Sequence, residues 1–172
     1  KKIYLHANMH LHKITSNHPV IVENLTEKEK AKEAEYQSVL GAKWYPKEDY
    51  LGYDFTNKET YIELLESKSP MTKRKALSLV ASLFDATGLI APVVLVGKLL
   101  VKEVWELNTQ WDDPIPHELK SRFIDWASPL KRLNELKIPR HVGADGGDYN
   151  TLYVFCDERE KACGAVAYLR KN

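Results

Sequence analysis

The chain has 172 residues, a net charge of +1, an apolar share of 44% and a charged share of 28%. That is room for one ordinary domain, or two small subdomains on a shared core, and the composition is that of a globular protein, not of a disordered one. The charge balance also excludes nucleic-acid binding through bulk charge, so any such contact must come from local patches. Leu89 to Val101, broken by Pro92, Gly97 and Lys98, falls short of the roughly 18 apolar residues of a membrane span. The two cysteines, Cys156 and Cys163, suit reduced thiols in a cytoplasmic or nuclear setting better than a disulfide framework. Lys1-Lys2-Ile3-Tyr4 carries neither an initiator Met nor a signal-peptide core, so a piece of a longer polypeptide is expected.

In chain order, Lys1 to Leu5 reads as a short strand. Pro19 to Leu25 reads as one or two helical turns, begun by Ser16 or Asn17 with Pro19 in the first turn. Thr26 to Glu35 alternates acids and lysines and reads as a solvated linker or an exposed helix face. His6, His10 and His12 would share one face of a strand, but no acid or cysteine follows at a spacing that completes the about four ligands of a zinc site. Ser38 to Tyr45 and Tyr50 to Phe55, parted by Pro46-Lys47-Glu48-Asp49, read as a β-hairpin. On one straight strand Val39, Gly41 and Lys43 would share a face, and Leu40, Ala42 and Trp44 the other.

From Thr72 the period turns helical. Ala76, Leu77, Val80, Ala81 and Phe84 follow it, with Ser69-Pro70 as the start and Gly88 as a left-handed stop. Pro92 opens a second helix, about Val93 to Leu107, with Val96, Leu100, Val104 and Leu107 as its stripe. Trp111-Asp112-Asp113-Pro114 is a connector. A third helix follows Pro116, with Leu119, Phe123, Trp126, Leu130 and Leu133 at helical spacing and a kink or restart at Pro129. Trp105, Trp111 and Trp126 are expected in the helix core. Gly143 to Asn150 is a polar loop. Leu152-Tyr153-Val154-Phe155-Cys156-Asp157 then runs out to Gly164-Ala165-Val166-Ala167-Tyr168 as a second hairpin, which delivers one carboxylate to a strand end. The order is hairpin, three helices, hairpin.

Several of these segments carry a family likeness. Leu11-His12-Lys13-Ile14-Thr15-Ser16-Asn17 resembles the Leu-Arg-Lys-Trp-x-Ser-Asn signature of BEL/Pao-type retrotransposon polymerases. Val39-Leu40-Gly41-Ala42-Lys43-Trp44 resembles that family's Leu-Gly-x-x-Trp strand, which in reverse transcriptases holds the primer end. Thr72-Lys73-Arg74-Lys75-Ala76-Leu77-Ser78 through Phe84-Asp85-Ala86-Thr87-Gly88-Leu89-Ile90-Ala91-Pro92 resembles its Thr-Lys-Arg…Leu-Ser…Phe-Asp-Pro-x-Gly-Leu…Pro block. Trp105, Trp111-Asp112-Asp113-Pro114 and Ile138-Pro139-Arg140 continue the series. Phe155-Cys156-Asp157…Gly164-Ala165-Val166-Ala167-Tyr168 is similar to the opening of a retroviral-type ribonuclease H. Met9, His12, Ile14, Ala86 and Glu158-Arg159 depart from the family's usual residues.

The resemblance implies an α+β chain in three parts. Residues 1–68 would be the end of a polymerase palm with its primer-holding hairpin, 69–142 a helical thumb or connection of about three helices, and 143–172 the first strands of a truncated ribonuclease H-like domain. It implies part of an RNA-directed DNA polymerase and ribonuclease H that positions template-primer, with this segment alone inactive. Lys13, Lys43, Trp44, Lys73, Arg74 and Lys75 are the expected strand contacts, and Leu40 and Gly41 the close backbone approach to the primer. Asp157 would be the first magnesium ligand of the nuclease, in the intact enzyme only, with no cofactor expected for this segment. Expected partners are an RNA/DNA hybrid or DNA template-primer and the remaining polymerase and nuclease segments, with no membrane.

Local pattern leaves other readings open. A run such as Lys73-Arg74-Lys75 also reads as a solvated face, Trp44 as hairpin packing, and Asp157 as a hairpin cap. A non-catalytic interaction module or retroelement relic is the competing function. A peptidase, the label the family's block often carries, is weaker: an aspartic peptidase needs paired Asp-Thr/Ser-Gly loops, and Asp145-Gly146-Gly147 has no hydroxyl residue.

Overall fold

The computed structural model describes residues 2–39, 41–53, 55, 59–66, 69–141 and 149–171. Leu40 and the Asp145-Gly146-Gly147 loop lie outside the described residues. Secondary structure is mixed. Helices α1 (Lys2–His6) and α2 (Pro19–Glu23) precede strands β1 (Gln37–Val39), β2 (Ala42–Tyr45) and β3 (Tyr50–Gly52). Then come α3 (Glu59–Leu65), α4 (Lys73–Ala81), α5 (Ala91–Glu106), α6 (His117–Ala127), a 3₁₀ segment (Ser128–Glu135) and β4 (Ile138–Pro139). A long hairpin, β5 (Tyr149–Arg159) and β6 (Ala162–Lys171), closes the chain.

Where a strand is expected at Lys1 to Leu5, Lys2–His6 is helical instead. A strand needs a neighbour for its backbone groups, whereas a helix closes its own hydrogen bonds. Pro46-Lys47-Glu48-Asp49 does join two strands, setting Tyr45 opposite Tyr50 and Lys43 opposite Gly52. The run from Ser38 to Tyr45 is not one strand, however. Gly41 takes φ +82° and folds β1 back on β2, so that Gln37 faces Trp44. The expected face shared by Val39, Gly41 and Lys43 is thereby lost, because the chain reverses between them. β4 joins the other edge through Leu51 opposite Ile138, giving a four-stranded antiparallel sheet in the order β1-β2-β3-β4. Cross-strand partners project to the same side. Ala42, Trp44, Leu51 and Ile138 thus form the inner face, from which Ala42 and Ile138 pack against the core. Lys43, Tyr45 and Tyr50 form the outer one.

The core joins Tyr53, Phe55, Tyr61 and Leu64 to Leu79, Val104, Phe123 and Leu130, so segments on both sides of position 68 share it. Helix α3, unforeseen in the sequence, enters through Tyr61 and Leu64. In α5 the buried stripe is Val94, Gly97, Leu100 and Val104, while Val96 is exposed. Apolar residues surround that helix, which leaves the phase of the pattern open. The notch at Gly97 settles it: the Trp126 ring lies in it, with Nε1 donating to the Val93 carbonyl at 2.9 Å. Phe123, Trp126 and Leu130 are buried as the spacing predicts, and the chain restarts as a 3₁₀ segment around Pro129.

Helix α4 begins at Thr72, whose side chain accepts from the Lys75 N–H, and ends at Ala81 rather than at Gly88. Gly88, at φ +74°, belongs to the turn that feeds α5. There Asp85 acts as the cap that the N-terminal residue Ile90 does not supply. Its carboxylate accepts from the N–H groups of Leu89 at 3.1 Å and Ile90 at 2.9 Å, and from the Tyr53 hydroxyl at 3.1 Å. The connector before α6 is strapped to the start of α4, Ile115 N–H donating to the Met71 carbonyl and Arg74 N–H to that of Trp111. Trp105 and Trp111 are not core residues: both are nearly half exposed and meet edge to face at 5.3 Å.

Candidate nucleic-acid interface

The three residues Lys73, Arg74 and Lys75 start one helix but turn to three different partners. Lys73 Nζ donates to the Leu107 carbonyl at 2.7 Å, placing a cation at the C-terminus of α5 where the helix dipole favours it. Arg74 holds Asp112 through Nε at 2.8 Å and Nη2 at 2.9 Å and lies over the Trp111 ring. Lys75 Nζ donates to Glu63 at 2.9 Å and to Ser69 Oγ at 2.6 Å. The cluster therefore knits α3, α4 and the connector together. Lys13 sits in an exposed turn at φ 55°, beside the bridging pair of Ile14 and Lys30.

Lys43 and Trp44 are neighbours on β2 but leave opposite faces of the sheet. On the inner side Trp44 Nε1 donates to Asp49 Oδ1 at 2.9 Å, and Arg140 clasps the same carboxylate through Nε at 2.6 Å and Nη2 at 2.9 Å. On the outer side Lys43 Nζ lies 4.1 Å from the Tyr36 ring centroid, and Lys137 Nζ lies 5.1 Å from that of Tyr50. Tyr36, Tyr45 and Tyr50 are half-buried there, and Lys137 is exposed. The tyrosines and Lys137 were missed in the sequence. The available signal was the alternation Lys43-x-Tyr45 together with a four-residue turn, which sets Tyr45 across from Tyr50. Gly41 makes its close approach within the protein: a Cβ there would lie 2.7 Å from Phe84 Cβ and 2.9 Å from the Phe84 carbonyl oxygen.

Asp157 lies in β5 opposite Gly164, exposed, with Arg159 Nε 3.7 Å away. Alternation puts it on one face with Tyr153, Phe155, Val166 and Tyr168. Leu152, Val154, Cys156, Ala165, Ala167 and Leu169 form the other face, and both faces are exposed. Cys156 and Cys163 are free thiols. Among the described residues no three His, Cys, Asp or Glu side chains gather as a metal site. Asp157 with these neighbours does not fit the donor set of a hydrolytic metal pair.

Three carboxylates are held below their ordinary range by an arginine hydrogen bond: Asp49 by Arg140, Asp112 by Arg74 and Glu103 by Arg122. A carboxylate depressed in the folded state binds fewer protons than the unfolded chain around pH 4, so stability rises with pH through that window. The contribution is present above the unfolded value and lost as pH falls through the folded one. Urea midpoints should accordingly drop between pH 6 and pH 3, and the drop should shrink in Arg140→Gln; an equal drop in both proteins would sever Asp49 from the effect.

Among the described residues no helix is long and apolar enough to cross a membrane. A family model described as Pao retrotransposon-like RNaseH-like domain matches residues 72–172, from the cap of α4 through β6. No curated protein and no solved structure matches the chain.

Proposed function

Because the chain belongs to the Pao retrotransposon-like RNaseH-like domain family, we propose that it binds and positions template-primer nucleic acid within a retroelement polymerase and nuclease, with no catalytic activity of its own. The observation that carries this reading is the outer face of the four-stranded sheet, where Lys43 and Lys137 flank a row of tyrosines. Cations beside aromatic rings on a sheet supply two contacts that do not depend on sequence: phosphates, and the faces of bases that are unpaired or terminal. In this reading residues 1–68 are the end of a palm, 69–142 a thumb or connection, and 143–172 the opening of the nuclease. The common core of the first two segments favours rigid transmission between them. Asp157 would contribute the first magnesium ligand only in the intact enzyme, where the ion would supply charge stabilisation at phosphate oxygens.

Binding of an RNA/DNA hybrid across a salt series tests the proposal. Lys43→Glu with Lys137→Glu should weaken binding by about tenfold or more at low salt and flatten the salt slope by about one unit for each phosphate left without its lysine. Unchanged affinity and slope would remove this face from the interface. Replacing Lys73, Arg74 and Lys75 should instead show first as lost stability, since each bonds within the protein. Magnesium-dependent cleavage of the hybrid that disappears in Asp157→Ala would overturn the inactive reading.

A second reading, a non-catalytic protein-interaction module, is favoured by the β5–β6 ribbon. Leu152, Val154, Phe155 and Tyr168 are each around 60% exposed there. Apolar surface of this kind marks contact with another body.

A further inference from the structure

Phosphate contact needs only cations, yet the outer face of β2 and β3 is mainly aromatic. Tyr45 and Tyr50 stand directly opposite, with centroids 4.3 Å apart and planes 18° from parallel. Tyr36 extends the row, 5.7 Å from Tyr45 at a 48° tilt. Both rings lie over Gly52, across from Lys43: a Cβ there would meet Tyr45 Cε2 at 3.4 Å and Tyr50 Cε2 at 3.9 Å, ordinary van der Waals contact. We propose that this face is a stacking platform for unpaired nucleotides, with bases of a single strand on Tyr36 and the Tyr45–Tyr50 pair and their phosphates against Lys43 and Lys137. The inference rests on the nucleic-acid reading above and narrows it to single-stranded segments.

Base faces inside a duplex are covered by the pairs above and below, so a ring fixed on a sheet reaches only a base that is unpaired or terminal. The ammonium groups now beside the rings do not block this. A lysine over an exposed ring is worth roughly two- to fivefold in an equilibrium constant. Stacking of a base on an aromatic side chain is worth roughly fivefold to over a hundredfold. A base therefore outweighs the cation–π contact at the ring, and the lysines stay beside the strand, where its phosphates run. Packing against neighbours holds the rings in place beforehand, so little side-chain freedom is lost on binding.

The test compares the full chain's affinity for a fluorescein-labelled oligothymidylate with that for a blunt RNA/DNA hybrid, by anisotropy. Tyr45→Leu with Tyr50→Leu should weaken single-strand binding about tenfold, or about 1.4 kcal/mol, and leave hybrid binding within about twofold. Tyr45→Phe with Tyr50→Phe keeps the rings and should keep the affinity. Tyr36→Leu, outside β2 and β3, should reproduce part of the single-strand loss without touching the hairpin. Tyr36→Leu that lowers both probes equally, or neither, overturns the platform. Wild-type protein that binds the hybrid but not the single strand overturns the platform alone. Binding of neither probe overturns the platform and the nucleic-acid reading together.

Discussion

Trp126→Ala is expected to lower the unfolding free energy by about 3–5 kcal/mol, the range for deleting a large buried aromatic. In a domain of this size that is a fall in Tm of about 6–20 °C. The ring lies in the notch of α5 at Gly97, meets Phe123 edge-on at 6.3 Å, and donates to the Val93 carbonyl. Its removal takes away apolar burial, a hydrogen bond and the filling of the notch between α5 and α6 at once. The notch gives a sharper test. A Cβ at Gly97 would lie 2.7 Å from Trp126 Cη2, and the ring is tethered by its Nε1 bond to the Val93 carbonyl, so Gly97→Ala should destabilise the wild type by about 1–3 kcal/mol. In the Trp126→Ala background the obstacle is gone, and the same change should be neutral or stabilising by up to about 1 kcal/mol through helix propensity. Urea unfolding of the four proteins measures the coupling. Equal costs of Gly97→Ala in both backgrounds would mean that the ring does not fill this notch.

Gly41→Ala is expected to cost about 2–5 kcal/mol, for two reasons that add. A side chain at φ +82° is strained by about 1–2 kcal/mol. The new Cβ would also press on Phe84 Cβ and its carbonyl oxygen, which overpacking data place at about 1–3 kcal/mol. Unlike the Trp126 ring, these atoms survive truncation, so Phe84→Ala should give little rescue. A thermal melt beside a binding titration separates two roles for this glycine. An intramolecular junction predicts lost stability with affinity retained below the melt. A glycine that admits the primer backbone predicts the reverse.

The three longer helices α4, α5 and α6 were legible because their apolar spacing repeats over roughly two and a half turns or more, and Pro92, Pro116 and Pro129 mark starts and a restart that the structure keeps. The β2–β3 hairpin was legible from its turn. What escaped depends on residues far apart in sequence. Asp49 and Arg140 are joined across 91 positions, and β4 is two residues long with no strand signature of its own. Gly41 reads in sequence as a strand residue, since nothing local announces that Phe84 will stand against it. The family-like segments show the same limit from another side. The side chains of Thr72, Asp85 and Asp112 cap and strap neighbouring segments, so these residue types follow from the fold whatever else they do. The candidate interface was half legible. Lys43 was found through its resemblance, whereas Lys137 reaches Tyr50 only once β4 has docked.

That docking ties recognition to the integrity of the whole fold. Tyr50 comes from the third strand, and Lys137 arrives at its ring only after the chain has passed through four helices and returned to pair Leu51 with Ile138. An opening anywhere along that path separates the two side chains, so a ligand that needs both favours the closed chain and raises its melting point by mass action. Conversely, weakening a distant helix junction lowers apparent affinity while every group that meets the ligand stays in place. Affinity on this surface is thus a gauge of global folding, and variants must be compared at equal fractions folded before a loss is assigned to the surface itself.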